Sequence, residues 1–256
     1  MSDNSGPLIL AVETSTRVGS VSLARGEGVL GIVMSDGAAS RSTDLIENVD
    51  RLLRAAEARL SDVDLFAVAV GPGSFTGLRI GLATVKAFAV CVQRPCAAVS
   101  TLAAIAYSAG ASERTVSVLP AGRGEVYAQM FSVLEGKVEA LDRAAHIKPS
   151  ELLERYGNGR SIKFAGEGAH HHIQTLQEWA NENKIVFSEL ESSGGGWMLA
   201  SETRELATSV AVLALSDYRS CKVIGADELQ ANYVRASDAE IHERWLQQNP
   251  QPPIAV

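Results

Sequence analysis

Residues Ala67 to Phe88, AVAVGPGSFTGLRIGLATVKAF, decide how the chain is read. An apolar run from Leu65 to Val70 reads as a buried strand, and Thr76 to Val92 as a helix that is almost wholly apolar. Between them lies a glycine loop carrying Ser74 and Thr76. Gly71 and Gly73 would let backbone N–H groups turn toward an anion, which the positive end of the following helix favours. The spacing matches no phosphate signature, because G-x-x-x-x-G-K-[ST] and G-x-G-x-x-G both need glycine where Thr76 stands. A G-x-S-x-G nucleophile elbow needs glycines where Pro72 and Thr76 stand. Two readings stay open on these residues: a structural turn with Ser74 or Thr76 as helix N-cap, or an anion site.

On a helical wheel, the segment after the loop keeps one narrow polar stripe, Arg79, Lys86 and Gln93, spaced by seven. Gly77, Gly81, Ala83, Ala87 and Ala89 would allow a second helix to approach closely. Such a helix is either enclosed in its own fold or shared with another chain. The residues expected to meet a partner are Arg79, Leu82, Ala83, Lys86, Ala89 and Val90.

Working outward, strands are expected at Leu8–Val12, Val18–Ala24 and Val29–Met34, and an amphipathic helix at Ser42–Leu60. A strand at Ala97–Val99 and a helix at Thr101–Ala109 complete a βββαβαβα order. The order recurs: strands at Thr115–Leu119, Glu125–Val133 and Val138–Leu141, a helix at Ser150–Tyr156 and a strand at Ile162–Ala165. A helix at His170–Asn181, a strand at Ile185–Phe187 and a helix at Ser201–Ser216 close it. Gly19-Ser20-Val21 answers Gly124-Glu125-Val126, and Gly71-Pro72-Gly73 answers Gly166-Glu167-Gly168, each at the same place in its half. The expected fold is α/β and two-lobed, on the duplicated plan of the actin, Hsp70 and sugar-kinase (ASKHA) superfamily. Its expected parts are lobes at residues 1–109 and 110–236 and a mobile, proline-bearing tail at 237–256.

Bulk composition narrows the function. A chain of 256 residues exceeds the usual size of a single core, which favours two lobes. Lys plus Arg number 23 against 30 for Asp plus Glu, a net charge of −7, so a protein built around a phosphate-binding face is not expected. Any nucleic acid would be contacted mainly by a partner. Cys91, Cys96 and Cys221 have neither zinc-site spacing nor the even count of a disulfide framework. No signal peptide and no membrane-length apolar stretch is read, so a cytoplasmic protein without membrane association is expected. His170, His171 and His172 are adjacent, so their side chains point about 100° apart on a helix and cannot chelate one ion. No catalytic constellation and no metal site is read.

The segments LILAVETST, GPGSFTGLRIGLATVKAFA, AVSTLAAIA and GRGEVYAQMF, with Tyr233-Val234-Arg235, resemble the TsaB (YeaZ) family, often labelled M22 glycoprotease-like. The resemblance spans most of residues 8–236, and its central segment is the specific part. It implies a non-catalytic subunit that binds and activates TsaD in forming N6-threonylcarbamoyladenosine beside the tRNA anticodon. TsaD would transfer threonylcarbamoyl from its adenylate to tRNA adenine, with the ATPase TsaE as a third component. Alone, the chain is expected to form a homodimer. No cofactor is required, and any ATP or ADP binding would be weak and shared at the level of the complex.

Departures from the superfamily argue against nucleotide hydrolysis here. Glu13 stands where related kinases commonly have a metal-holding aspartate, and Ala121 where TsaB relatives often have Asp. Arg41-Ser42-Thr43 replaces a usual His-Ser or His-Thr, and the first helix lacks the His-x-x-x-His pair of TsaD. The rival reading is an ATP-dependent kinase or ATPase using the interlobe cleft, with Thr14, Ser15, Gly73, Ser74, Gly166 and Glu167 around the phosphates.

Overall fold

The computed structural model describes residues 6–35, 41–159, 161–189 and 195–234. Its first strand, β1 (Leu8–Glu13), is buried along its whole length. Leu8, Leu10 and Val12 join a cluster with Leu45, Val49, Leu82 and Val85, whereas Ile9 and Ala11 join one with Val210 and Ala214. Helices therefore cover both faces, and a strand so placed reads as a continuous apolar run rather than an alternation.

Around β1 lies a five-stranded sheet in the order β3 (Gly28–Met34), β2 (Ser20–Arg25), β1, β4 (Leu65–Gly71), β5 (Cys96–Ser100). β1 to β3 form an antiparallel meander, and β4 and β5 run parallel to β1. The helices α1 (Arg41–Ala55) and α2 (Phe75–Val92) cover one face. The expected first helix stops five residues early: Glu57 takes a left-handed φ of 52°, and a 3-10 turn at Leu60–Asp62 follows.

The second sheet runs β11 (Phe187–Ser188), β12 (Trp197–Leu199), β10 (Ile162–Ala165), β6 (Ser112–Gly122), β7 (Glu125–Leu134), β8 (Lys137–Ala140), with β9 (Ala145–Ile147) paired to β7. β9 and β12 are too short to carry a period that sequence could reveal. The helix expected at 170–181 is two pieces, α5 (Glu167–His171) and α6 (Ile173–Glu182), broken at His172. His170 is half-buried, its Nε2 2.9 Å from the Ala200 carbonyl oxygen.

The two halves interlock through their last helices. Leu102, Ile105 and Ala106 of α3 (Thr101–Ser108) pack with Leu119, Tyr127 and Phe131 of the second sheet. Val210, Ala211 and Ala214 of α7 (Leu206–Arg219) pack on Ala67, Ala69 and Ala97 of the first, where small residues let the helix come close. Dividing the chain at residue 110 assigns α7 to the second half, but its packing joins it to the first sheet. Lys163 of β10, nearly buried, donates to the carbonyls of Ala109 and Ala111 at 2.9 and 3.0 Å and so caps the end of α3. α4 (Pro149–Tyr156) covers the second sheet, and Tyr156 donates to Asp142 at 2.7 Å.

Contrary to the reading of no membrane-length stretch, α2 is long and apolar enough to cross a membrane by length and composition. Its packing explains the composition: Leu78, Leu82, Val85 and Ala89 face the sheet, and only the opposite side is open. The tail at 237–256 lies outside the described residues, as does Arg235.

Candidate functional site

The glycine loop is explained by packing and capping. Ser74 is the N-cap of α2, its Oγ accepting from the Gly77 N–H at 3.3 Å, while its own N–H donates to the Ser15 carbonyl at 2.7 Å. A Cβ on Gly73 would lie 2.5 Å from that carbonyl oxygen. Gly77 and Gly81 leave room for Thr14, whose Oγ1 donates to the Gly77 carbonyl at 2.7 Å. The glycines thus let the first turns of α2 lie directly on the loop after β1.

Beneath that contact Glu13 is fully buried. Its Oε1 accepts from the Ser15 N–H at 2.5 Å, the Ser15 hydroxyl at 2.7 Å and the Thr16 N–H at 2.8 Å, and its Oε2 from the Thr16 hydroxyl at 2.7 Å. Burial pushes its carboxyl above the usual range, against the pull of these donors. Ser15 Oγ lies 2.9 Å from Thr101 Oγ1, which ties the turn to α3. Both oxygens of Glu13 are therefore spent on its own turn, which sequence could not disclose.

A cleft of about 200 Å³ opens between the halves, lined among others by Thr16, Arg17, Gly166, Glu167, His171 and Arg204. Of the residues expected around phosphates, Gly166 and Glu167 line this cleft; Thr14, Ser15, Gly73 and Ser74 pack against one another beside it. Sequence reading missed Arg17 and the Ser201–Arg204 wall, which reaches the cleft only because α7 crosses back. His171 Nε2 lies 3.7 Å from Glu167 and the Arg204 guanidinium 3.9 Å from Glu202. Among the described residues no group of three or more His, Cys, Asp or Glu is arranged to hold a metal.

The outer face of α2 presents Thr76, Arg79, Ala83, Ala87, Val90 and Cys91, with Val90 65% exposed. The expected partner residues divide: Arg79, Ala83 and Val90 are exposed and Lys86 half-buried, but Leu82 at 7% and Ala89 at 1% belong to the core. The stripe of Arg79 and Lys86 marks the boundary between the two faces, and in so apolar a helix composition cannot tell which flank points inward. Cys91 and Cys221 are exposed, whereas Cys96 in β5 is buried and burial pushes its thiol up to about 11. A thiol reagent at pH 8 should modify two of the three cysteines in the folded chain and the third only after unfolding. Because the fold raises the Cys96 value from 9.0, the stability linked to this proton is present below pH 9 and is lost as pH rises through about 11.

Two interlocked α/β halves around a cleft, with a helix face open to one side, define a two-lobed protein of the actin-like class. The family model "TsaD: tRNA N6-adenosine threonylcarbamoyltransferase" matches residues 22–240. The tRNA threonylcarbamoyladenosine biosynthesis protein TsaB of Bacillus subtilis is 27% identical over 172 residues, 66% of this chain and 75% of that protein. Its Escherichia coli counterpart is 29% identical over 151 residues, 57% and 65% of the two chains. YeaZ from Pseudomonas aeruginosa matches with a TM-score of 0.73 at 26% identity, over 89% of this chain and 99% of that one. The chain belongs to the TsaB/YeaZ family, within the wider family that the TsaD model describes.

Proposed function

We propose that this chain is a non-catalytic cytoplasmic subunit that binds TsaD and activates it in forming N6-threonylcarbamoyladenosine on tRNA. One observation carries the reading: α2 leaves an apolar, small-residue face open while Glu13 is consumed within its own turn. Burying such a face contributes roughly 25 cal/mol per Å², from which the cost of association is subtracted. Ala83 and Ala87 would let a partner helix come close, and Arg79, beside them, supplies a charged edge. In isolation the same face pairs with a second copy. TsaE joins as a third component, and the net charge of −7 leaves most tRNA contact to TsaD.

The test is co-purification with TsaD of the same organism, with thiol labelling of the mixture. A stable complex is expected, in which Cys91 is protected and Cys221 still reacts. Separate elution of the two chains with Cys91 fully reactive would overturn the proposal. A second reading, an ATP-dependent kinase or ATPase, draws on Arg17 and Arg204 in the cleft. It requires magnesium-ATP binding with turnover by the isolated chain; calorimetry is expected to find weak binding or none.

A further inference from the structure

We infer that residues 224–234 form a clasp that holds the glycine loop and the first turns of α2, so that a segment remote in sequence sets the proposed docking face. Four kinds of contact place it there. Ile224 and Cys96 exchange two backbone hydrogen bonds, at 2.8 and 2.9 Å, which fix the start of the clasp to the edge strand β5. Leu229 is fully buried in the cluster of Leu82, Val85 and Ala89, with Ala226 and Ala231 packed beside it, so the clasp fills core volume under α2. The Asn232 N–H donates to the Val70 carbonyl at 2.7 Å. A Cβ on Gly71, whose φ is +114°, would lie 2.7 Å from the Asn232 carbonyl oxygen, so glycine is required by both conformation and space.

The fourth contact reaches the helix itself. The Tyr233 ring lies 5.3 Å from that of Phe75, the first residue of α2, and the Arg79 guanidinium lies 3.7 Å from the same Phe75 ring. Phe75 thus connects the clasp to an exposed residue of the docking face one turn further on. Val234 packs on the cluster of Leu102, Leu119 and Leu206, where the two halves meet. The clasp therefore spans from the sheet edge, under α2, to the junction between halves. Its value for docking rests on the reading above, but its existence as a clasp is tested on the isolated chain.

The experiment is amide hydrogen exchange on the full chain and on Tyr233→Ala and Leu229→Ala. Residues 75–82 should exchange about three- to ten-fold faster in Tyr233→Ala, and faster still in Leu229→Ala, with β7 unchanged. Should Leu229→Ala fail to fold, Tyr233→Ala decides alone, because Tyr233 is 42% exposed and lies outside the buried core. Exchange across 75–82 equal to wild type in Tyr233→Ala overturns the clasp. TsaD capture should weaken in the same order as protection is lost. A wild-type chain that does not capture TsaD refutes the docking reading and leaves the exchange result standing; wild-type capture with unaltered exchange in the variant refutes the clasp alone.

Discussion

Replacing Ala83 by glutamate is expected to abolish association with TsaD while changing the stability of the isolated chain by no more than about 0.5 kcal/mol. Ala83 lies on the open side of α2, where glutamate stays hydrated in the free chain. Covered by a partner helix, the same carboxylate would have to shed its water, at a cost of several kcal/mol that Arg79 one turn away offsets only in part. A loss of 100-fold or more in affinity follows, read by gel filtration and calorimetry, with thermal unfolding as the control. Retained binding by a folded Ala83→Glu chain would remove α2 from the interface.

Leu82→Ala should behave in the opposite way. Leu82 is 7% exposed and shares a cluster with Leu10, Val12, Val85 and Leu229, so truncation leaves a cavity between helix and sheet. The expected cost is about 2–5 kcal/mol, seen as a lower unfolding midpoint in urea with an unchanged slope. Affinity for TsaD, corrected for the folded fraction, should fall far less than with Ala83→Glu. A stable Leu82→Ala chain that no longer binds would exchange the roles given to the two residues.

The contrast between these neighbours shows where sequence reading stopped. β1 and β4 were legible because strands covered on both faces must be apolar throughout, and the loop between β4 and α2 because glycine and serine punctuate it. The direction of α2 was not, since Leu82 and Ala83 are both compatible with either flank of the Arg79 and Lys86 stripe. Tertiary packing decides it by seating Leu78, Leu82, Val85 and Ala89 on the sheet.

The site was legible only in pieces. Gly166 and Glu167 could be found by their place in a repeated plan, and they do line the cleft. Ser201 to Arg204 carry no local motif and arrive there through the return of α7 to the first sheet. Glu13 stood out by its position, but its engagement with Ser15 and Thr16 is set by a turn whose geometry no spacing encodes. The residues of the clasp likewise gain meaning only from what they touch, with Asn232 lying against Gly71 and Tyr233 against Phe75.

The central claim, that this chain acts by engaging TsaD rather than by chemistry of its own, is tested most directly by threonylcarbamoyl transfer to tRNA in a reconstituted system from the same organism. With TsaD, TsaE, the threonylcarbamoyl adenylate and tRNA held constant, transfer should require the wild-type chain and fail with Ala83→Glu. Equal transfer in its absence would contradict the account.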